Sequence, residues 1–266
     1  MRRAKIGLLA IGLLAALLLG GPVSAQNDLV PVHPAPEANP CEVPAYILFG
    51  EGKLEHVKKS VAEQKKLTIL VLGSGSSVLP GPDGANKSYP GRLEELLQKR
   101  FPGVEVKVAA VAKPRLTAAD MNESLEKVLV DRKPDLVVWQ TGTVDAMKGI
   151  DPDAFRTSLD EGVEQILEAG ADVILMNMQY SPRTETMISL SNYADIMRVV
   201  SRERGVPLFD RREIMRHWND SGNFDLNLAT KDIATAFKVH DCLGRALASL
   251  VIEAGHLDAV KARPTQ

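Results

Sequence analysis

The sequence predicts an α/β fold with a mostly parallel sheet. Short apolar runs recur along the chain, and stretches of ten or more residues with helical spacing separate them. Strands that alternate with helices of that length form βαβ units with right-handed crossovers. The 266 residues are enough for one sizeable domain of this class, and no internal repeat divides them.

The first 25 residues have the pattern of a secretory signal peptide. A basic start at 2–5 precedes an apolar core at 6–19, and small residues at 23–25 would permit cleavage. A single transmembrane anchor is the alternative, but the apolar run is short against the ~20 residues of a spanning helix. The sequence therefore predicts a periplasmic or secreted protein with no stable membrane insertion after cleavage.

Charge and cysteine content narrow the possible partners. The formal net charge is −2 and would fall to −5 without the leader, so we expect no nucleic-acid partner.

The chain has two cysteines, Cys41 and Cys242, and in an oxidising compartment such a pair often forms a disulfide. Two unpaired thiols are the alternative. No ligand spacing typical of a metal site is present, and we expect neither a metal nor a cofactor.

The folded part is predicted as one domain at residues 45–258. A Pro-rich N-terminal segment at 26–44 precedes it as a linker or wrapping arm, and 259–266 form a C-terminal tail.

Each element of the domain has a local signal. Short apolar runs bounded by turn residues predict buried strands. Apolar residues three and four apart, such as Leu54, Val57 and Val61, predict helices, and Thr117 and Asp151 are predicted N-caps. The strands are predicted at 67–72, 104–111, 135–140, 172–178 and 207–209. The helices are predicted at 46–65, 90–100, 117–130, 151–169, 193–204 and 212–218, with a last one that begins between 232 and 240 and ends near 254.

A loop of small residues follows the first predicted strand. The run 67–72 ends in Gly73-Ser-Gly-Ser-Ser77, and small residues after a buried strand let the backbone turn sharply. Ligands of open α/β sheets bind beyond the carboxyl ends of the strands. The loop 73–81 is therefore the expected position of a site.

Six segments of the chain follow the order and spacing of the conserved blocks of a known family. They lie at 67–74, 88–93, 117–121, 134–143, 175–183 and 242–248. Together they resemble the SGNH/GDSL hydrolase family, and most closely an exported bacterial branch. The resemblance implies a flavodoxin-like three-layer α/β/α fold and ester hydrolysis, often deacetylation or acyl transfer. It also implies a serine nucleophile, an Asp-x-x-His pair and an oxyanion hole that includes an asparagine.

The scaffold of this family is matched, but its functional residues are replaced. Gly73 and Ser74 fit the first block, and the nucleophile position falls on Gly75. The asparagine of the third block falls on Val144. The replaced positions are Gly75, Ala112, Val144, Lys231 in place of the aspartate, and Ala234 in place of the histidine.

A relocated active site is possible within the same loop. Ser76 or Ser77 could act as nucleophile with His240 as base, oriented by Asp241 or Asp232, if a hydroxyl lies within ~3 Å of the imidazole. Alternatively, the two serines only hydrogen-bond the turn.

A binding cleft is predicted around the same strand ends. Asp145 is either a ligand-contacting carboxylate or a helix cap, and Lys113 with Arg115 either holds an anion or is simply solvated. The predicted cleft residues are Gly73, Ser74, Gly75, Lys113, Arg115, Thr143, Val144, Asp145, Gln179 and Arg183.

Two hypotheses for the function follow. The first is an exported, catalytically degenerate hydrolase-like protein that acts as a binding or accessory module for an unknown small molecule, an acylated glycan or a protein partner. The second is an active serine ester hydrolase that uses Ser76 or Ser77 with His240. A nucleotide-binding protein is disfavoured, because the loop 73–81 has neither Gly-x-Gly-x-x-Gly nor a Walker lysine.

Overall fold

The computed structural model describes residues 39–227 and 233–259. The predicted signal peptide, most of the N-terminal arm, Lys231, Asp232 and the residues after 259 lie outside this part of the chain. Among the described residues, no helix is long and apolar enough to cross a bilayer.

A parallel sheet forms the middle layer of the fold. Its order in the described residues is β2-β1-β3-β4-β5, which is the flavodoxin-like arrangement. The prediction of a three-layer α/β/α fold is confirmed, and each strand lies within one or two residues of its predicted bounds. The strands are β1 Lys66–Gly73, β2 Glu105–Ala112, β3 Leu136–Gln140, β4 Asp172–Met176 and β5 Leu208–Phe209.

Helices cover both faces of this sheet. They are α1 Ala45–Leu48, α2 Glu55–Lys59, α3 Gly84–Lys87, α4 Tyr89–Arg100, α5 Ala118–Asn122, α6 Leu125–Arg132, α7 Thr143–Lys148, α8 Pro152–Glu168, α9 Pro182–Met187, α10 Ser191–Arg204, α11 Arg211–Asp220 and α12 Ile233–Ala254. A π-helical turn at Ser60–Gln64 follows α2, and 3₁₀ turns lie at Gly75–Ser77 and Leu257–Ala259.

The alternation of side chains along β1 supplies two separate cores. Ile69 and Val71 pack with α4, α11 and α12 on one face of the sheet. Leu70 and Leu72 pack with α5, α6, α8 and α10 on the other. Because successive strand residues point to opposite faces, one apolar run serves both cores, and this explains its near-continuous hydrophobicity.

Two predicted N-caps are confirmed. The Thr117 side chain accepts the Asp120 backbone N–H, and the Asp120 carboxylate accepts the Thr117 N–H at 2.9 Å. The Asp151 carboxylate accepts the N–H groups of Asp153 and Ala154. These caps fix the starts of α5 and α8.

The prediction of one helix at 46–65 is wrong. Its apolar residues are buried, as helical spacing requires, but α1 and α2 are separate and extended chain lies between them. Gly52 explains the interruption, because a Cβ atom there would lie 2.2 Å from the backbone N of Pro207. The close approach of a distant segment thus overrides the local helical pattern.

The predicted helix at 117–130 is also two helices in the structure. Ser124 lies at the break, and its hydroxyl donates to the carbonyl of Met121. A serine that bonds local backbone competes with helix propagation. The structure adds three short helices, α3, α7 and α9, which lie outside the predicted helices.

A disulfide joins the N-terminal arm to α12. Cys41 and Cys242 are bonded, 201 residues apart in sequence. The indole N–H of Trp218 in α11 also donates to the carbonyl of Glu42 at 3.0 Å. The described end of the arm is therefore held against α11 and α12. Its attachment point in α12, Cys242, lies two residues after His240 in sequence.

Removal of this disulfide should lower the free energy of unfolding by about 2–4 kcal/mol, because the bond closes a long loop in the unfolded chain. The measurement is urea denaturation of the double variant Cys41→Ser/Cys242→Ser beside the oxidised protein. A reductant should destabilise the wild type to the same level and leave the double variant unchanged. Equal midpoints for the oxidised protein and the variant would contradict this prediction.

Candidate functional site

A cluster of serines lies at the carboxyl ends of β1 and β3. Ser74 follows β1 directly, and the 3₁₀ turn Gly75–Ser77 closes with a hydrogen bond from the Ser77 N–H to the Ser74 carbonyl at 2.9 Å. Gly73 makes room for this turn, since a Cβ atom there would lie 2.4 Å from the Ser77 hydroxyl. The small residues of the loop thus bring three hydroxyl groups together.

Gln140 connects these hydroxyls from the last position of β3. Its Nε2 donates to the Oγ atoms of Ser74 at 3.0 Å and Ser76 at 2.9 Å. Its Oε1 accepts from Ser77 Oγ at 2.6 Å and from the Tyr89 hydroxyl at 3.2 Å. Because Gln140 is buried, these bonds are shielded from water and strengthen one another.

Arg211 brings a positive charge into the cluster. It is the first residue of α11, just after β5, and its side chain is buried. Its Nη1 donates to Ser76 Oγ and to Gln140 Oε1, both at 3.2 Å. Burial lowers the pKa of Arg211 to about 10, so the guanidinium remains charged at pH 7.

His240 lies in the first half of α12 and contacts Tyr89. Its Nδ1 accepts the Tyr89 backbone N–H at 3.0 Å, and the two rings stack with centroids 5.7 Å apart. Burial, and then the charge of Arg211, lower the pKa of His240 to about 3. The imidazole is therefore neutral at physiological pH, with its proton on Nε2.

The structure does not join His240 to either serine that was predicted as nucleophile. Among the described residues, no hydrogen bond links its ring to Ser76 or Ser77. The hydroxyl of Ser77 is fully buried, donates to Gln140 and accepts from Tyr89. Ser76 Oγ accepts from Gln140 and Arg211 and lies 3.3 Å from Ser74 Oγ.

The carboxylate predicted to orient His240 is engaged elsewhere. Asp241 accepts from the Nε atoms of Arg92 and Arg245, each at 2.7 Å. Partial burial would raise the pKa of Asp241, but the hydrogen bonds from the two arginines, and then their charges, hold it below its usual value. The other candidate, Asp232, lies outside the described residues.

Asp145 is buried, and its contacts are those of a capping carboxylate. It accepts the backbone N–H groups of Ala118 at 2.9 Å and Gly142 at 3.3 Å. It thereby ties the first turn of α5 to the start of α7. Burial raises the pKa of Asp145, and the hydrogen bonds oppose that rise only in part.

The remaining predicted cleft residues are spread around the strand ends. Lys113, Arg115 and Arg183 are exposed, whereas the Gln179 side chain accepts from Arg211 Nη2 at 3.4 Å. Thr143 and Val144 begin α7 and, with Ser74, line a crevice too narrow for a water molecule. Of the replaced family positions, Gly75 begins the 3₁₀ turn and Ala112 is the last residue of β2. Ala234 lies in the first turn of α12, and Lys231 is outside the described residues.

Comparison with known proteins shows the family of this chain. Residues 40–257 match the non-GDSL lipase-like family. The chain belongs to this family. An arylesterase from Vibrio mimicus is 27% identical over 126 residues, which are 46% of this chain and 60% of the arylesterase. The match thus spans less than two thirds of that relative's length.

Solved structures of SGNH esterases share the fold of this non-GDSL lipase-like protein. TesA is 22% identical with a TM-score of 0.52, over 69% of this chain and 99% of TesA. A catalytic mutant of Axe2, an acetylxylan esterase from Geobacillus stearothermophilus, is 17% identical with a TM-score of 0.56, over 74% and 97% of the two chains. The predicted resemblance to SGNH/GDSL hydrolases is confirmed at the level of family and fold.

Three residues that contact the serine cluster of this non-GDSL lipase-like protein are not among the site residues predicted from the sequence. Gln140 was predicted only as the end of a strand, and Tyr89 only as part of a family segment. Arg211 lies one residue before the predicted start of a helix. The one available signal was its place just after the fifth strand, at the sheet edge where ligands of this fold class bind.

The neutral state of His240 should make the protein sensitive to acid. In the unfolded chain the imidazole of His240 is protonated below about pH 6.5, whereas in the native protein it stays neutral down to about pH 3. Between these two pH values, unfolding is therefore accompanied by uptake of a proton. The free energy of unfolding should therefore fall by up to about 1.4 kcal/mol per pH unit over this range. In His240→Asn the amide oxygen can still accept the Tyr89 N–H. The free energy of unfolding of this variant should fall less steeply as the pH is lowered below 6.5.

Urea denaturation between pH 4 and 8 measures this effect. His256→Asn is the matched control, because His256 is exposed and has a left-handed backbone conformation that asparagine tolerates. The control should keep the wild-type slope. If the free energy of unfolding of His240→Asn falls with decreasing pH as steeply as that of the wild type, His240 is not the cause of the acid sensitivity.

Proposed function

We propose that this chain is an exported SGNH-fold binding module that no longer performs ester hydrolysis. The observation that carries the proposal is the state of the serine hydroxyls. Ser76 and Ser77 are held by Gln140, Tyr89 and Arg211, and neither contacts a base among the described residues. A serine hydroxyl is a weak nucleophile until a neighbouring base accepts its proton.

The missing oxyanion donor supports the same proposal. The family's asparagine position holds Val144, whose side chain cannot donate a hydrogen bond. Removal of one such donor from a working hydrolase costs about 3–4 kcal/mol of transition-state stabilisation. With the nucleophile position occupied by Gly75, both central requirements of the family's chemistry are unmet at their usual places.

The proposed role is recognition of an acylated glycan or a protein partner at the same strand ends. Polar side chains converge there from β1, β3, α4, α11 and α12, as in the ligand sites of this fold class. The disulfide supports an oxidising location. Acetylated xylan, on which the solved neighbour Axe2 acts, is a reasonable first glycan to test.

An active serine ester hydrolase is the second candidate. It is favoured by the arylesterase relative and by Tyr89, whose hydroxyl contacts Ser77 while its backbone N–H contacts His240. A movement of Tyr89 would be needed to bring serine and imidazole together. This candidate would retain the chemistry of the family with a relocated dyad.

Hydrolysis of an activated aryl acetate by the chain from residue 26 onward separates the two candidates. We expect no turnover above that of Ser76→Ala, Ser77→Ala and His240→Asn, because no described residue is placed to accept the serine proton. Ser189→Ala, which changes an exposed serine, is the matched control, and thermal unfolding verifies that each variant is folded. Turnover lost in one of the two serine variants and in His240→Asn, but kept in the control, would refute the proposal.

A further inference from the structure

We infer that Arg211 binds a small oxyanion, either a carboxylate or a phosphate group, in the cavity between α11 and α12. The inference deepens the proposed function, on which it rests, by naming the chemistry of the ligand. Its basis is a buried guanidinium whose charge the described protein leaves unpaired.

The carboxylate that precedes Arg211 in sequence, and the one that pairs with the next residue, already have other partners. Asp210 accepts from the Nη2 of Arg198 at 2.8 Å and caps α11 with its other oxygen. Glu185 accepts from the neighbouring Arg212. Among the described residues, no carboxylate contacts Arg211, so its partners are neutral.

A buried charge with neutral partners alone is unfavourable. Here the chain pairs Arg198 and Arg212 with carboxylates but leaves the most deeply buried of the three arginines without one. Strongly perturbed charged groups in clefts are frequent at functional sites. An oxyanion from outside the described chain would complete the pattern.

The geometry of the guanidinium fits this ligand. Nη1 is held by Ser76 and Gln140, while Nη2 makes only two long contacts of 3.4 Å and Nε has no partner in the described residues. Nε and Nη2 form one edge of the planar group. Arginine binds carboxylates and phosphates through two parallel N–H donors on such an edge.

The adjacent cavity has a matching size and lining. Its volume is about 200 Å³, several times the ~30 Å³ of a water molecule in the liquid and enough for a small oxyanion. His240 lines it with a neutral ring whose protonated Nε2 is a donor, and Tyr180 and Gln179 line it as well. Asp225 is the carboxylate among the described lining residues, and it is exposed and accepts from Asn227.

The test is a titration of the chain from residue 26 onward with sodium acetate, sodium phosphate and neutral acetamide, each at constant ionic strength set by chloride. The ¹H–¹⁵N signal of the Arg211 Nε–H, identified by its absence in Arg211→Lys, reports binding directly. We expect a saturable shift with acetate or phosphate and none with acetamide. The anion that saturates at the lower concentration identifies the ligand class.

Thermal unfolding gives the second readout. Above the Kd, each fivefold rise in the free concentration of the anion should raise Tm by about 2–4 °C. This rise should vanish in Arg211→Gln and persist in Arg216→Gln, which removes an exposed arginine of the same helix. If Arg211→Gln does not fold, the wild-type Nε titration decides alone.

A linear, non-saturating shift, an equal response to acetamide, or an undiminished rise in Tm in folded Arg211→Gln would overturn the inference. Such a result in a protein without esterase turnover would leave the proposed function standing. Turnover that needs Ser76 or Ser77 together with His240 would instead contradict the proposed function, whether or not an anion binds. The two failures are therefore distinguishable.

Discussion

The positive charge of Arg211, buried at the carboxyl end of the sheet, governs the chemistry of the whole cluster. Gln140 directs its amide oxygen at this charge, and its amide nitrogen is thereby turned toward the serines. The same charge lowers the pKa of His240 further than burial alone. Ser76 and Gln140 therefore accept directly from the guanidinium, while Ser77 and the Tyr89 hydroxyl are linked to it through Gln140.

The fold itself depends on different residues from those that make the cluster. The two cores use the alternating apolar side chains of β1 and β3 and the apolar faces of the covering helices. None of these contacts requires a particular residue at position 75 or 144. A chain can therefore keep the SGNH architecture while the groups at the strand ends change, because fold and site are separate physical requirements.

The sequence predicted the architecture well because its signals are local. An apolar run such as 67–72 and a cap such as Thr117 are visible within a few residues, and both are present in the structure. The helix at 46–65 failed because the decisive contact, between Gly52 and Pro207, spans most of the domain. Arg211 escaped notice for the same reason, since its burial arises from segments distant in sequence.

The electrostatics of the cluster oppose those that a serine hydrolase needs. In a catalytic triad a carboxylate stabilises the imidazolium that forms when histidine accepts the serine proton. A pKa of about 3 for His240, rather than 6.5, disfavours that imidazolium by about 5 kcal/mol. His240 is therefore a weak proton acceptor for a serine hydroxyl, even if one moved within reach.

The same argument connects the imidazole to the anion proposed at Arg211. A bound oxyanion would offset the guanidinium charge, which is the second cause of the low pKa of His240. Burial, the larger cause, would remain, so the imidazole would regain only part of its basicity. A ligand at Arg211 and a proton at His240 are thus coupled favourably, because the anion would offset part of the charge that opposes protonation of the imidazole.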